Sequence, residues 1–324
     1  MSSIYLASNV GFVSVNSISP TATPVIPQSF TQTMTITNQS KVTSQLTSDG
    51  LYRVYTIGGD TVNDAATNVT ITIYSVTPIT IYYVCVGAGG SSPPASYPTY
   101  NIGGGPGAGA FFQGSYNLTE SYVEKKILLR VLQKNIGTIY SDSNPNTVLT
   151  FPNTTIRAGV GGGSGNVNGV NGSSSMGGGS AYYQYTSTPV PGGTASSPGF
   201  PGGPGAQGGY SGGGGGAGGA GGNQFANGTN AEKAKGGAGI TVLPSTRGIH
   251  NIYRSQIFCA GGDGSLHEPV FNSPVFYSGA NGVGIYGCGA GTNGTGTSSV
   301  NPGQPGCIIF AISVADFPGS PTYI

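Results

Sequence analysis

Alternation of apolar and polar positions dominates the first third of the chain. In SFTQTMTITNQ, Phe30, Met34 and Ile36 alternate with polar residues, mostly Thr. LYRVYTIGGD ends a similar run at a Gly pair, and NVTITIYSVTPITIYYVCVGAGG carries two β-rich runs around Thr77-Pro78. β-Branched and aromatic residues fit a pleated, half-buried surface, and a period of two marks one wet face. Residues 29–86 therefore read as strands. Further strands are predicted at Ala110 to Tyr116, in KKILLRVLQ, in GITVLPS, in IYRSQIFCAGGDG and in GCIIFAISV at 306–314. TESYVEKKILLRVLQK (119–134) has a composition compatible with a helix, but its turn-rich flanks favour a strand. The predicted class is all-β. Residues 1–28, with Pro20, Pro24 and Pro27 and no helical period, read as an extended N-terminal arm. Residues 29–324 read as one glycine-rich β-sandwich domain.

Glycine breaks this pattern in a regular way. Apolar strands run into Gly-rich turns at Val84 to Gly90, Ile156 to Gly163 and Phe258 to Gly264, with a looser copy at Ile285 to Gly291. The densest stretch, an insertion at about 159–239, contains SGGGGGAGGAGG and GFPGGPGAQGGY. Ordering a Gly costs more backbone entropy than ordering any other residue, so an ordered Gly region needs dense backbone pairing in return. Polyproline-II helices, with three residues per turn and no internal hydrogen bonds, supply one solution by bonding to one another. Gly199, Gly202, Gly205 and Gly208 recur at every third position, which hints at such packed helices. The alternative reading of the same run is a flexible linker.

Composition sharpens the picture. Of 324 residues, 60 are Gly, 19 Tyr and 12 Phe, while only 6% are charged and the net charge is +1. Disordered chains combine low hydrophobicity with high charge, which is the reverse of this balance. A nearly neutral, weakly charged surface tends to associate, so a subunit of an assembly is expected. Lys125, Lys126 and Arg130 are the only close group of cations, too few for phosphate neutralisation, and nucleic acid is not an expected partner. No run approaches the ~18 apolar residues of a membrane span. MSSIYLASNVGFVSVNS lacks a basic region followed by an apolar core, so synthesis in a cytosol is expected.

Chemistry-bearing motifs are weak. Cys85, Cys259, Cys288 and Cys307 match no zinc spacing. Cys85 and Cys259 end apolar runs and read as small buried hydrophobes. Cys288 and Cys307 flank a Gly/Asn/Thr loop, where free thiols are expected over a disulfide. A nominal G-x-G-x-x-G at Gly213, Gly215 and Gly218, with Glu232 beyond it, lacks the strand and helix that give the fingerprint meaning. Asp263, His267 and Glu268 form a polar cluster in GGDGSLHEP that reads as an exposed loop. No catalytic, cofactor-binding or metal site is expected, and none of the ten acids pairs convincingly for glycoside hydrolysis. Tyr182, Tyr183, Tyr185 and Tyr210 are candidate recognition or interface residues, because Tyr among Ser and Asn suits adaptable contacts.

YYVCVGAGG, then GGGPGAGAFFQGSYNLT, then a strand into TIRAGVGGGSG, and a terminal GQPGCIIFAIS resemble the glycine-rich domain family over about 65–314. Its members occur in phage tail fibres and in structural proteins of large DNA viruses. The glycine-rich ectodomain of the anaplastic lymphoma kinase receptors is similar. The resemblance implies a β-sandwich of jelly-roll, tumour-necrosis-factor-like topology carrying polyglycine-II helices, with no shared catalytic residue. It implies a non-enzymatic virion structural protein (minor capsid, cement or surface component) of a large DNA virus, made in the host cytoplasm and located in the virion. Its partners would be other capsid or fibre subunits. The alternative is a phage or viral fibre-tip adhesin for host glycan or protein. A secreted matrix protein is a third class, disfavoured by the N-terminal sequence.

Overall fold

The structure is a computed structural model. It describes residues 32–58, 66–75, 77–92, 104–119, 125–131, 146–163, 192–195, 199–204, 212–222, 235–264, 266–268, 275–277, 281–291, 302–318 and 321–324. The predicted arm at 1–28 and Tyr182, Tyr183, Tyr185 and Tyr210 lie outside these residues.

The alternating segments form strands. They are β1 (Thr33–Ile36), β2 (Val42–Leu46), β3 (Tyr52–Gly58), β4 (Thr67–Tyr74), β5 (Ile79–Val86), β6 (Phe111–Leu118), β7 (Lys125–Val131), β8 (Asn146–Phe151) and β9 (Thr154–Gly159). A short helix, α1 (Ile249–Tyr253), is followed by β10 (Leu266–Glu268), β11 (Val275–Tyr277), β12 (Cys307–Ser313) and β13 (Thr322–Tyr323). Six strands form one sheet in the order β13-β1-β4-β7-β8-β9, and five form a second in the order β2-β3-β12-β5-β6. β10 and β11 pair as a separate ribbon. Pairing is antiparallel throughout except between β1 and β13. The expected all-β sandwich is thus the architecture of the described chain.

The alternation locates the first core. β4 buries Val69, Ile71 and Ile73 and leaves Asn68 and Tyr74 exposed, so its sheet has one wet face. Those three, with Met34, Ile36, Ile127, Leu129 and Phe151, meet Tyr55, Ile57, Ile81, Ile308, Phe310 and Ile312 of the opposing sheet. Tyr55 and Phe310, paired in register across β3 and β12, stack with ring centroids 4.6 Å apart. Tyr116 of β6 stacks on Phe151 of β8 at 4.2 Å, joining the two sheets.

β12 breaks the alternation, since six of its seven residues, CIIFAI, are buried. The cause is a third layer. Val54, Val84, Val86, Phe111, Ile309 and Ala311, on the outer face of the five-stranded sheet, pack against Val242, Ile249, Phe258 and Cys259. A strand covered on both faces reads as a continuous apolar run.

That third layer corrects one sequence expectation. GITVLPS and IYRSQIFCAGGDG were expected to be strands. Instead they contribute one isolated bridge, Ile240 to Phe258, and IYR lies at the end of α1 and the turn after it. Gly248 precedes α1 at φ 78, where a Cβ would also press on the Tyr52 side chain at 2.7 Å, so a glycine is required at this entry. KKILLRV of the KKILLRVLQ run forms β7 rather than a helix, and 132–133 lie outside the described residues. Among the described residues, no helix is long and apolar enough to cross a membrane.

Candidate functional site

The most distinctive construction is a bundle of Gly-rich segments continuing from the strand ends. β5 runs into 87–92, β9 into 160–163, and 104–110 and 302–306 feed β6 and β12. Segments 212–222, 235–239, 259–264 and 281–291 complete it.

Its hydrogen bonds have a period of three. Gly105 N and Ala108 N donate to Gly212 O and Gly215 O, each at 2.8 Å, so residues three apart face one neighbour. Gly107 N and Ala110 N face another, donating to Gly162 O and Gly159 O. A third direction is taken by Pro106 O, which accepts from Gly262 N, and Gly109 N, which donates to Gly287 O. Segment 87–90 repeats the rule, with Gly87 N and Gly90 N donating to Ala110 O and Gly107 O while Gly89 N turns to Gln304 O. Gly214 N and Ala217 N likewise face Gly262 O and Cys259 O. Three residues per turn with outward-facing backbone groups is the arrangement of polyproline-II-type helices bonded side by side.

Glycine is required here by contact. A Cβ on Gly214 would overlap the carbonyl of Pro106, one on Gly105 that of Gly262, and one on Gly89 that of Cys288. The Gly199 run takes part: Gly202 N donates to Gly193 O, Gly203 N to Gly213 O, and Pro201 O accepts from Gly221 N. Its described portions are thus hydrogen-bonded to other Gly segments; 205–211 lie outside the described residues.

This packing decides the weak motifs. In the nominal dinucleotide fingerprint, Gly214 N, Gly216 N and Gly218 N donate to Gly262 O, Gly219 O and Ala238 O. The amides that would cradle a phosphate are spent on the bundle. Asp263 Oδ1 accepts from Gly236 N at 2.8 Å and so pins one Gly segment to another. His267 and Glu268 lie on β10, in register with Phe276 and Val275 of β11, rather than on an irregular loop. Arg130 Nη1 donates to Asn146 O at 2.8 Å across β7 and β8, a bond within the sheet.

The four thiols are free and buried. Cys85 lies between the sheets, while Cys259 and Cys307 face the third layer. Cys288 Sγ accepts from Ala260 N at 3.4 Å. Cys259 adopts φ 54, unusual for a residue with a Cβ, and is held there by bonds from its N to Tyr286 O and from Ala217 N to its O. Burial pushes all four thiols up, Cys288 to about 11. Thiols held protonated in this way are poor nucleophiles. Among the described residues, no group of three His, Cys, Asp or Glu could hold a metal ion.

A small groove of about 90 Å³ lies between β2 and α1, lined by Thr43, Ser44, Gln45, Val54, Thr56, Ile252 and Tyr253. The Tyr253 hydroxyl bonds Thr56 Oγ1 at 2.8 Å across it. Its polar groups are hydroxyls, an amide and backbone, suited to hydrogen bonding rather than proton transfer. Sequence reasoning missed it because the short helix α1, which walls it, has no amphipathic period long enough to detect. Asn251 of α1 also donates to Asp49 Oδ2 at 3.0 Å in the β2–β3 turn, tying helix to hairpin.

Comparison with protein-family models and with curated proteins found no match to this chain.

Proposed function

We propose that this chain is a non-enzymatic structural protein of a virion, a minor capsid, cement or surface component of a large DNA virus. The observation that carries the reading is the glycine bundle grown from the strand ends of a sandwich. Ordering so many glycines is entropically costly, and the return is a tightly crossbonded body with little charge. Such a body serves where a rigid shape and permanent neighbours matter more than a reactive pocket, since interface cores are depleted of charge. The resemblance of YYVCVGAGG, TIRAGVGGGSG and GQPGCIIFAIS to glycine-rich viral and fibre proteins points the same way.

Quantitative mass spectrometry of purified extracellular particles tests this proposal. Many copies per particle are expected. A few copies per particle would replace it with a fibre-tip adhesin for host glycan or protein. Absence from particles would overturn both.

A further inference from the structure

β2 is an open edge of the five-stranded sheet, and its chemistry fits a second copy of itself. Among the described residues, the order β2-β3-β12-β5-β6 leaves one side of β2 unpaired in the sheet. The ladder to β3 pairs Thr43 with Thr56 and Gln45 with Val54. Thr47 N donates to Tyr52 O at 2.9 Å in the same register. Alternation in an antiparallel ladder therefore directs the N–H and C=O of Thr43 and Gln45 towards β3, and those of Ser44 and Leu46 away from it.

Native edges are commonly blunted by charge, proline or a bulge. VTSQL has no charge and no proline, its register against β3 is unbroken, and Thr43 to Leu46 are all exposed. Other edges of the two sheets differ. β9 carries the exposed cation Arg157, β13 has two residues, and β6 has Leu243 N and Thr246 Oγ1 bonded to its Gln113 side chain.

We infer that two copies of this chain associate through β2, antiparallel about a two-fold axis at Ser44. In that register Ser44 N–H and C=O exchange bonds with their symmetry mates, and Leu46 N–H reaches the Val42 carbonyl of the second copy. Val42 N–H is already used by Gln39 O in the preceding turn. The side chains agree with the register. Leu46, 48% exposed, comes opposite the half-buried Val42 of the second copy, and Thr43 comes opposite Gln45. No like charges meet within 42–46. An isologous contact of this kind closes at two copies. With only five residues in the strand, the contact is modest, so association depends on concentration. The inference stands whether or not the chain belongs to a particle.

Sedimentation velocity of the purified full chain over a concentration series tests it. The wild type is expected to shift from the mass of one chain towards that of two as concentration rises. Ser44→Pro removes an outward N–H without touching the ladder to β3, as proline allows at an edge. It should stay at one chain throughout with an unchanged far-UV spectrum. Leu46→Lys keeps the backbone edge but loses the apolar pair, and should weaken association about tenfold or more. A wild type that remains one chain at its highest soluble concentration overturns the inference. So does a dimer that survives in folded Ser44→Pro.

Discussion

Individual glycines differ in what they carry. A Cβ on Gly203, Gly214 or Gly221 would overlap a backbone carbonyl, of Gly222, Pro106 and Gly213 respectively. Backbone in a cross-bonded bundle cannot retreat without breaking bonds. Each Gly→Val change at these positions is expected to destabilise the protein by about 3 kcal/mol or more, the upper part of the range for overpacking. Gly219, in the same segment, has its nearest neighbour, Ala238 N, at 3.6 Å, and its φ is not positive. Gly219→Ala should therefore change stability by less than about 1 kcal/mol. Denaturant melts of the four variants check the contrast. Four curves lying on the wild type would show that the segment behaves as a linker.

The buried thiols make a pH-dependent contribution of known sign. An ordinary thiol ionises near 9.0, whereas burial holds the Cys288 proton to about 11. Cys259 and Cys307 shift the same way. Between these values the folded state binds more protons than the unfolded state, so stability falls as pH rises. The contribution is fully present below about pH 9 and is lost as the pH climbs through about 11. Burial also pushes the Tyr286 hydroxyl up to about 12, which extends the decline. Denaturant midpoints should hold steady through neutral pH and drop above pH 9, with a shallower drop in Cys288→Ala. A flat profile to pH 11 would contradict the burial of these groups.

At the scale of elements, strands and three-fold helices form one hydrogen-bonded system. β5 and β9 pass without interruption into 87–90 and 160–163, and Gly87 N and Ala110 N already bond across the bundle, to Ala110 O and Gly159 O. Opening the bundle therefore exposes the strand ends too. Amide hydrogens of Gly107, Ala108, Gly109 and Gly214 are expected to exchange on the slow scale of β12, not at the rates of open chain. Exchange of these amides at unstructured rates, with β12 still protected, would mean the bundle opens alone. Within the sandwich, β4 and β12 show how context changes a strand's sequence. β4 alternates because its second face meets water, whereas β12 is apolar throughout because α1 and the Phe258 region cover that face.

At the scale of the molecule, the layers explain why weak charge is tolerated. Two hydrophobic cores lie on the two faces of one five-stranded sheet, and the glycine bundle consumes its own backbone groups. Stability then rests on burial and backbone bonding, with little call on ion pairs. The surface left over is polar but nearly neutral, with exposed Leu46, Leu51, Leu128 and Leu243.

Much of this fold was legible in the chain. Period-two runs placed β1 and β4, because a half-buried strand writes its burial directly into alternation, while β-branched and aromatic content marked β3 and β5. The apolar run before GAGG or GVGGG marked where strands give way to the bundle, since bulk must end where backbones touch. The triplet at Gly199 and Gly202 hinted at three-fold packing. Other features depended on partners distant in sequence. Ile249 to Tyr253 form a helix because Gly248 turns the chain over Tyr52, and Phe258 gives only a bridge because it plugs the outer face of the sheet formed by β2, β3, β12, β5 and β6. Which neighbour each glycine faces was likewise invisible, because a glycine has no side chain to record it. Local sequence fixed the periods and the places where side chains stop; long-range contact alone decided which backbones meet there.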